Sequence, residues 1–199
     1  LPVLLGFLIP VAALAIWSVD TAGKVIDDRF LRLSANSFIL AAAAAILAVA
    51  VALALTYAVR LQPSRLVRTA TRLASFGYAV PGAVLAVGIV LPFAWFDNAL
   101  DGFMRETFGV STGLLLSGTV FALLFAYLVR FLPISYGAVE SGLARVTPHM
   151  DDAARNLGQG SFGILRRVHT PILRSSLLTA GLLVFVDVMK ELPATLMLR

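Results

Sequence analysis

The chain of 199 residues contains no cysteine. That excludes a disulfide framework and a thiolate metal site. Histidine is nearly as scarce. His149 and His169 lie far apart on a polar stretch, where surface positions are the ordinary expectation, and no metal site is assigned to them. Charge is thin: Asp, Glu, Lys and Arg make up 14% of the chain, against about 25% in soluble domains. No Walker A sequence is present, so the chain brings no ATPase site of its own. No Ser, His and Asp constellation stands out, and the chain reads as no enzyme, with no bound cofactor. The roughly ten-residue alternating segments of an outer-membrane barrel are also missing.

What remains is apolar. Hydrophobic residues make up 59% of the chain, and several runs approach the ~20 residues needed to cross a bilayer. Helices are the form that satisfies every backbone group inside lipid. The fold class is therefore all-α, a polytopic membrane helical bundle forming a single transmembrane domain over residues 1–199. Spans are expected at about 1–19, 38–59, 78–96, 112–132 and 175–193. Pro10 should kink the first. The first span has no basic segment ahead of it, which argues against a cleavable signal peptide. The chain begins at Leu1 and stops at Arg199, just after an apolar segment, so it reads as a piece of a longer protein.

The connections differ in charge. Arg60, Arg65, Arg68 and Arg72 follow the second span; Arg130, Arg145, Arg155, Arg166, Arg167 and Arg174 follow the fourth. The opposite side holds Lys24, Arg29, Arg32 and Arg105. An excess of Lys and Arg marks the cytoplasmic side, so the block from Arg130 to Arg174 is expected there. Trp17 and Trp95 then fall at the outer interface, and Tyr57, Tyr78 and Tyr127 at the inner one. This pattern accounts for the net charge of +5 without nucleic acid. Polar connections are expected at 20–37 and 97–111, and Ser64 should cap a short helix over 64–72. The Gly109 and Gly113 pair is taken as chance.

The longest polar stretch, residues 147–171, carries the functional information. Thr147 can cap a helix with Pro148 in its first position. Asp151 and Asp152 would sit at that helix's positive end. The helix should stop near Gly158, and Ser161 should start a second one that ends before Pro171. Gly158, Gly160 and Gly163 match the dinucleotide pattern GxGxxG, but no buried strand precedes them, so the match is a decoy.

Asp152-Ala153-Ala154, Gly158 after three more residues, and Val168-His169-Thr170-Pro171 after nine more resemble the EAA loop of ABC importer permeases. Asp stands for the usual Glu, Val for Ile and Thr for Leu. Phe185–Arg199, Tyr78–Gly82 and Phe125–Phe131 are similar to the ferric-iron-type subgroup, whose members often carry two permease halves in one chain. The resemblance is to the second half. It implies a coupling helix that docks on an ATP-binding subunit through Asp152, Ala153, Ala154, Asn156, Leu157, Gly158, Gly160 and Pro171. It implies further partners: a dimer of those subunits, a periplasmic substrate-binding protein, a second permease half (covalently linked or separate) and membrane lipid. It places the protein in the bacterial inner membrane. Ferric iron is the expected substrate, with thiamine, a polyamine or a phosphonate as alternatives. A membrane scaffold without transport is the reading from another class.

Asp187, Lys190 and Glu191 lie in or near the outer part of the fifth span, and Pro81, Gly82, Gly88 and Pro92 make the third irregular. Ionisable groups in a span usually face the bundle interior, paired or lining a pathway. Asp187, Lys190, Glu191, Pro81 and Gly82 are thus candidates for a pathway or gate, although a self-neutralising structural cluster is the favoured role for the three charged residues.

Overall fold

A computed structural model describes residues 2–61, 64–74 and 76–198. Leu1 and Arg199, named above as ends of expected segments, lie outside them. Among the described residues the fold is all-α, with five helical segments long and apolar enough to cross a membrane: Leu4–Gly23, Asp28–Leu61, Gly82–Phe108, Val120–Leu143 and Ser161–Lys190. The chain divides into two compact units, Leu1–Ile39 and Leu40–Arg199.

The first unit holds a π turn, Leu4–Leu8, helix α1, Ile9–Val25, and the start of α2, Asp28–Leu61. The π turn lies just ahead of Pro10. Its wide bonding, with Ile9 N–H reaching Leu4 O, is a way to pass a residue that has no N–H to give. The expected polar connection at 20–37 is corrected to two helices with a short break at Ile26 and Asp27. Asp27 makes that break by accepting a 2.7 Å bond from Phe30 N–H, the act of an N-cap.

The second unit contains the rest of α2 and α3, Arg65–Ala74, which begins directly after Ser64. It continues with α4, Gly82–Phe108, α5, Val120–Leu143, α6, Pro148–Asn156, and α7, Ser161–Ile164. It ends with α8, Thr170–Lys190, and α9, Pro193–Leu198. Helix α5 is the hub, packed against α8, α4 and α9. Alanines allow the close approach: Ala41, Ala44, Ala45 and Ala48 of α2 are buried with Leu85 and Ala86 of α4, Ala126 and Tyr127 of α5, and Val184 and Val188 of α8. Between helices in lipid, small side chains give packing that lipid tails cannot match.

Three boundaries move. Residues 97–108 are helical, not a connection, because Asp97 and Asp101 point at the segment that follows α4. Asp97 is fully buried and accepts from Leu115, Leu116 and Ser117 N–H at 2.8 to 3.2 Å. Asp101 accepts from Ser111 Oγ and from Thr112 and Gly113 N–H. Two carboxylates thereby satisfy donors of an irregular stretch that apolar surroundings would otherwise strand. Gly109 and Gly113 lie in that stretch with positive φ, so their spacing is not a helix-packing motif.

The fourth span is 120–143, not 112–132. Arg130 had marked its end, but Arg130 lies inside α5, and the polar block starts after Leu143. Tyr127 is likewise buried, not an interfacial anchor. Finally, the helical path that starts at Ser161 does not stop before Pro171. A π turn, Leu165–His169, joins α7 to α8, and both Thr170 N–H and Thr170 Oγ1 reach Leu165 O. The wide turn again precedes a proline.

Candidate functional site

The polar loop between α5 and α8 has an inner and an outer face. Helix α6 ends at Asn156 with Leu157 as its C-cap, and Gly158 just beyond takes φ +79°. Gln159 N–H bonds Ala154 O at 3.0 Å and Gly158 N–H bonds Arg155 O at 2.8 Å. This pair of bonds is a Schellman cap, and its left-handed residue is the reason for glycine there. The chain then turns into α7 within two residues. The projection is therefore a short helix, a tight turn and the foot of a long helix.

The outer face carries most of the expected docking residues. Asp152, Ala153, Asn156, Leu157, Gly158, Gly160 and Pro171 are exposed. Asp152 meets only its own helix, Arg155 at 3.1 Å. Ala154 differs: it is buried and faces the bundle. Leu157 is 80% exposed and Phe162 74%. Phe162 was not among the expected docking residues. The signal for it was an aromatic beside the turn in a polar stretch.

The inner face holds a polar network. The Asp151 carboxylate lies 2.9 Å from Arg60 Nε and 2.7 Å from His169 Nε2. A carboxylate only accepts, so His169 Nε2 donates. His169 is fully buried, which corrects the surface expectation; His149 is exposed. The His169 ring stands edge-on to Tyr57, with centroids 5.6 Å apart. Tyr57 Oη donates to Ser161 O at 2.6 Å. Arg60 also donates to Val146 O at 3.0 Å and to Thr147 O at 3.4 Å. Burial pushes the Asp151 carboxyl up, but the hydrogen bonds and charges of Arg60 and His169 outweigh it and hold it below the usual carboxylate value. Its contribution is accordingly present at neutral pH and lost only as pH falls through that lowered value. None of Tyr57, Arg60, Asp151 and His169 was marked for this role, because the partners are up to 104 residues apart and nothing local pairs them.

The charged cluster at the end of α8 comes apart. Lys190, itself largely exposed, pairs with the partly buried Asp187 at 3.2 Å. Glu191 turns the other way. Its carboxylate faces Arg130 Nε at 3.1 Å, both side chains being mostly buried. The contact is electrostatic, since that Nε makes no aligned hydrogen bond. Arg130 Nη1 donates to Val80 O at 2.6 Å, and Ala194 N–H bonds Glu191 Oε1 at 3.3 Å, which caps α9. Gly82 completes the site: a Cβ there would lie 2.2 Å from Glu191 Oε1. Pro81 is the N-cap of α4. Thus Gly82, with Pro81 just ahead of it, meets Glu191 where α8 breaks into α9, while Asp187 and Lys190 stay apart. Among the described residues no group of three or more His, Cys, Asp or Glu could hold a metal ion.

These features define a class: a multi-pass helical membrane protein with a clamped, projecting loop and a buried ion pair at a broken helix. Over 195 residues the chain is 30% identical to the Fe(3+)-transport system permease protein FbpB 2 of Haemophilus influenzae, covering 96% of this chain and 35% of that protein. A second protein of that organism, FbpB 1, also named for ferric transport permease function, is 29% identical over 121 residues, 61% of this chain and 17% of its own length. The chain is thus similar to part of a protein named for ferric transport, the subgroup that residues 78–82, 125–131 and 185–199 resemble. It spans about a third of the length of the first relative. No protein-family model matches it.

Proposed function

We propose that this chain is a transmembrane portion of an ABC importer that carries ferric iron across the bacterial inner membrane. The projecting loop faces the cytoplasm and docks on an ATP-binding subunit, one of a pair. A periplasmic binding protein delivers the substrate, and a second permease half, in the same polypeptide or a separate one, completes the pathway. Hydrolysis takes place on the partner, not on this chain.

The observation that carries the reading is the two-faced loop. Its inner face is clamped to the bundle, while Asp152, Leu157 and Phe162 are turned outward, with Leu157 80% exposed. A rigid projection with an apolar tip and a carboxylate suits a groove on a subunit that moves. Closing of the ATPase pair would shift it as one body. The name of the relative supports iron as the substrate.

The assembled transporter tests this. Gly158→Asp puts a side chain at φ +79° and a charge at the tip. Pull-down of the ATP-binding subunit should fall at least about tenfold, which is a loss of about 1.4 kcal/mol. Undiminished capture would overturn the docking reading. Iron bound to the partner binding protein as purified would support the substrate; thiamine, a polyamine or a phosphonate in its place would replace it.

A further inference from the structure

We infer that Asp151 is the joint through which the loop drives the second span, so that one movement of the loop is delivered to three helices instead of two. The inference rests on the transport reading above. By chain connection alone the loop joins only α5, through residues 144–147, and α8, through the continuous segment Ser161–Lys190. Helix α2 ends more than eighty residues earlier in sequence, yet its last turns hold the loop at both limbs. Arg60 takes the Asp151 carboxylate of α6 at 2.9 Å and the carbonyls of Val146 and Thr147, the non-helical link where the loop would otherwise pivot. Asp151 passes the contact to His169 at 2.7 Å, at the foot of α8. Tyr57 bonds Ser161 O at the start of α7 and meets the His169 ring.

Each contact is one that a passive surface loop does not require. His169 is fully buried, and the Asp151 residue is 8% exposed. A buried carboxylate between two donors has one favourable geometry, because leaving either donor alone strands a charge or an N–H. The joint therefore resists hinging. Further along α2, buried Ala41, Ala44, Ala45 and Ala48 pack in one cluster with residues of α4, α5 and α8. A displacement of Arg60 is thus carried along a single helix into the centre of the bundle. Asp152, one residue on, is exposed and pairs with Arg155 of its own helix, where a partner can reach it. The two adjacent carboxylates divide the work: Asp151 transmits inward and Asp152 faces outward.

The test uses the full transporter, reconstituted with its ATP-binding subunits and binding protein, and reads substrate taken up per ATP hydrolysed. The ratio is taken per assembled complex, so a lower yield of any variant does not move it. Asp151→Asn and Arg60→Gln should each retain the ATP-binding subunits, yet lower the uptake per ATP about three- to thirtyfold, the range of energetic coupling through packed networks. The double variant should lose less than the product of the two single losses, because both remove the Arg60–Asp151 contact. Arg60→Lys, which keeps the charge but not the fork that also reaches Val146 and Thr147, should fall between. An unchanged ratio in both single variants, or losses that simply multiply in the double, would overturn the inference. Failure of the unaltered protein to hold the ATP-binding subunits would instead sink the transport reading.

Discussion

Asp151 and Asp152 are identical side chains on neighbouring positions of one helix, and they do opposite things. One turn of about 100° per residue separates a carboxylate buried between Arg60 and His169 from one in the open. The same division holds at the end of α8. Asp187, partly buried, pairs with Lys190 at the surface, whereas Glu191 balances Arg130 inside. Removal of the two carboxylates should therefore differ. Glu191→Ala leaves Arg130 buried without its counter-charge, a loss of about 3–5 kcal/mol. Asp187→Ala breaks a pair whose Lys190 end is open to the surface, so its loss should be smaller, on the order of 1 kcal/mol. Thermal unfolding in detergent distinguishes them: the Glu191 variant should melt well below the parent and the Asp187 variant close to it. Equal shifts would contradict the pairing.

At the scale of elements, the helices are governed by where small and breaking residues fall. Helix α2 is mostly Ala along its buried stripe, and that stripe sets how near α4, α5 and α8 come. Ala48 is wholly buried. Ala48→Leu adds three carbons where there is no space, and overpacking of this kind costs about 1–3 kcal/mol. A lowered melting temperature in detergent is the expected result, and an unchanged one would mean that the stripe faces lipid. Prolines act differently from expectation. Pro171 was read as the end of a helix, yet a π turn passes the chain through it. The choice between stopping and re-routing depends on whether the adjacent helix has somewhere to go, and α8 continues into the bundle. Asp97 makes the same point for acids, since a carboxylate read as a surface marker is fully buried beneath a loop that donates to it.

Across the whole molecule, the asymmetry of charge survives the relocation of Arg130 to the interior. Arg145, Arg155, Arg166 and Arg167 still accompany the projecting loop, and Arg60 ends the helix bonded to it. The loop end should accordingly be cytoplasmic. The lack of native cysteine makes that directly measurable. A single cysteine at Leu157 should react with an impermeant maleimide only in inverted vesicles, and one at Val110 only in right-side-out cells. The reverse pattern would overturn the orientation.

Composition and spacing alone determined the class. Long apolar runs with few charges permit only helices in a bilayer, because each helix satisfies its backbone by itself. The spacing from Asp152 to Gly158 and Pro171 was enough to find the projecting loop, since the start of α6 at Pro148 and its stop ahead of Gly158 are set by local chemistry. What the tertiary structure decided is which charges are paired and with what. Arg60 with Asp151 and His169, and Arg130 with Glu191, join residues far apart in the chain. Their interaction depends on a few ångströms of separation after packing, a distance that no local pattern encodes. The span boundaries moved for the same reason: a charge in an apolar helix looks like the edge of the membrane until its partner is seen beside it.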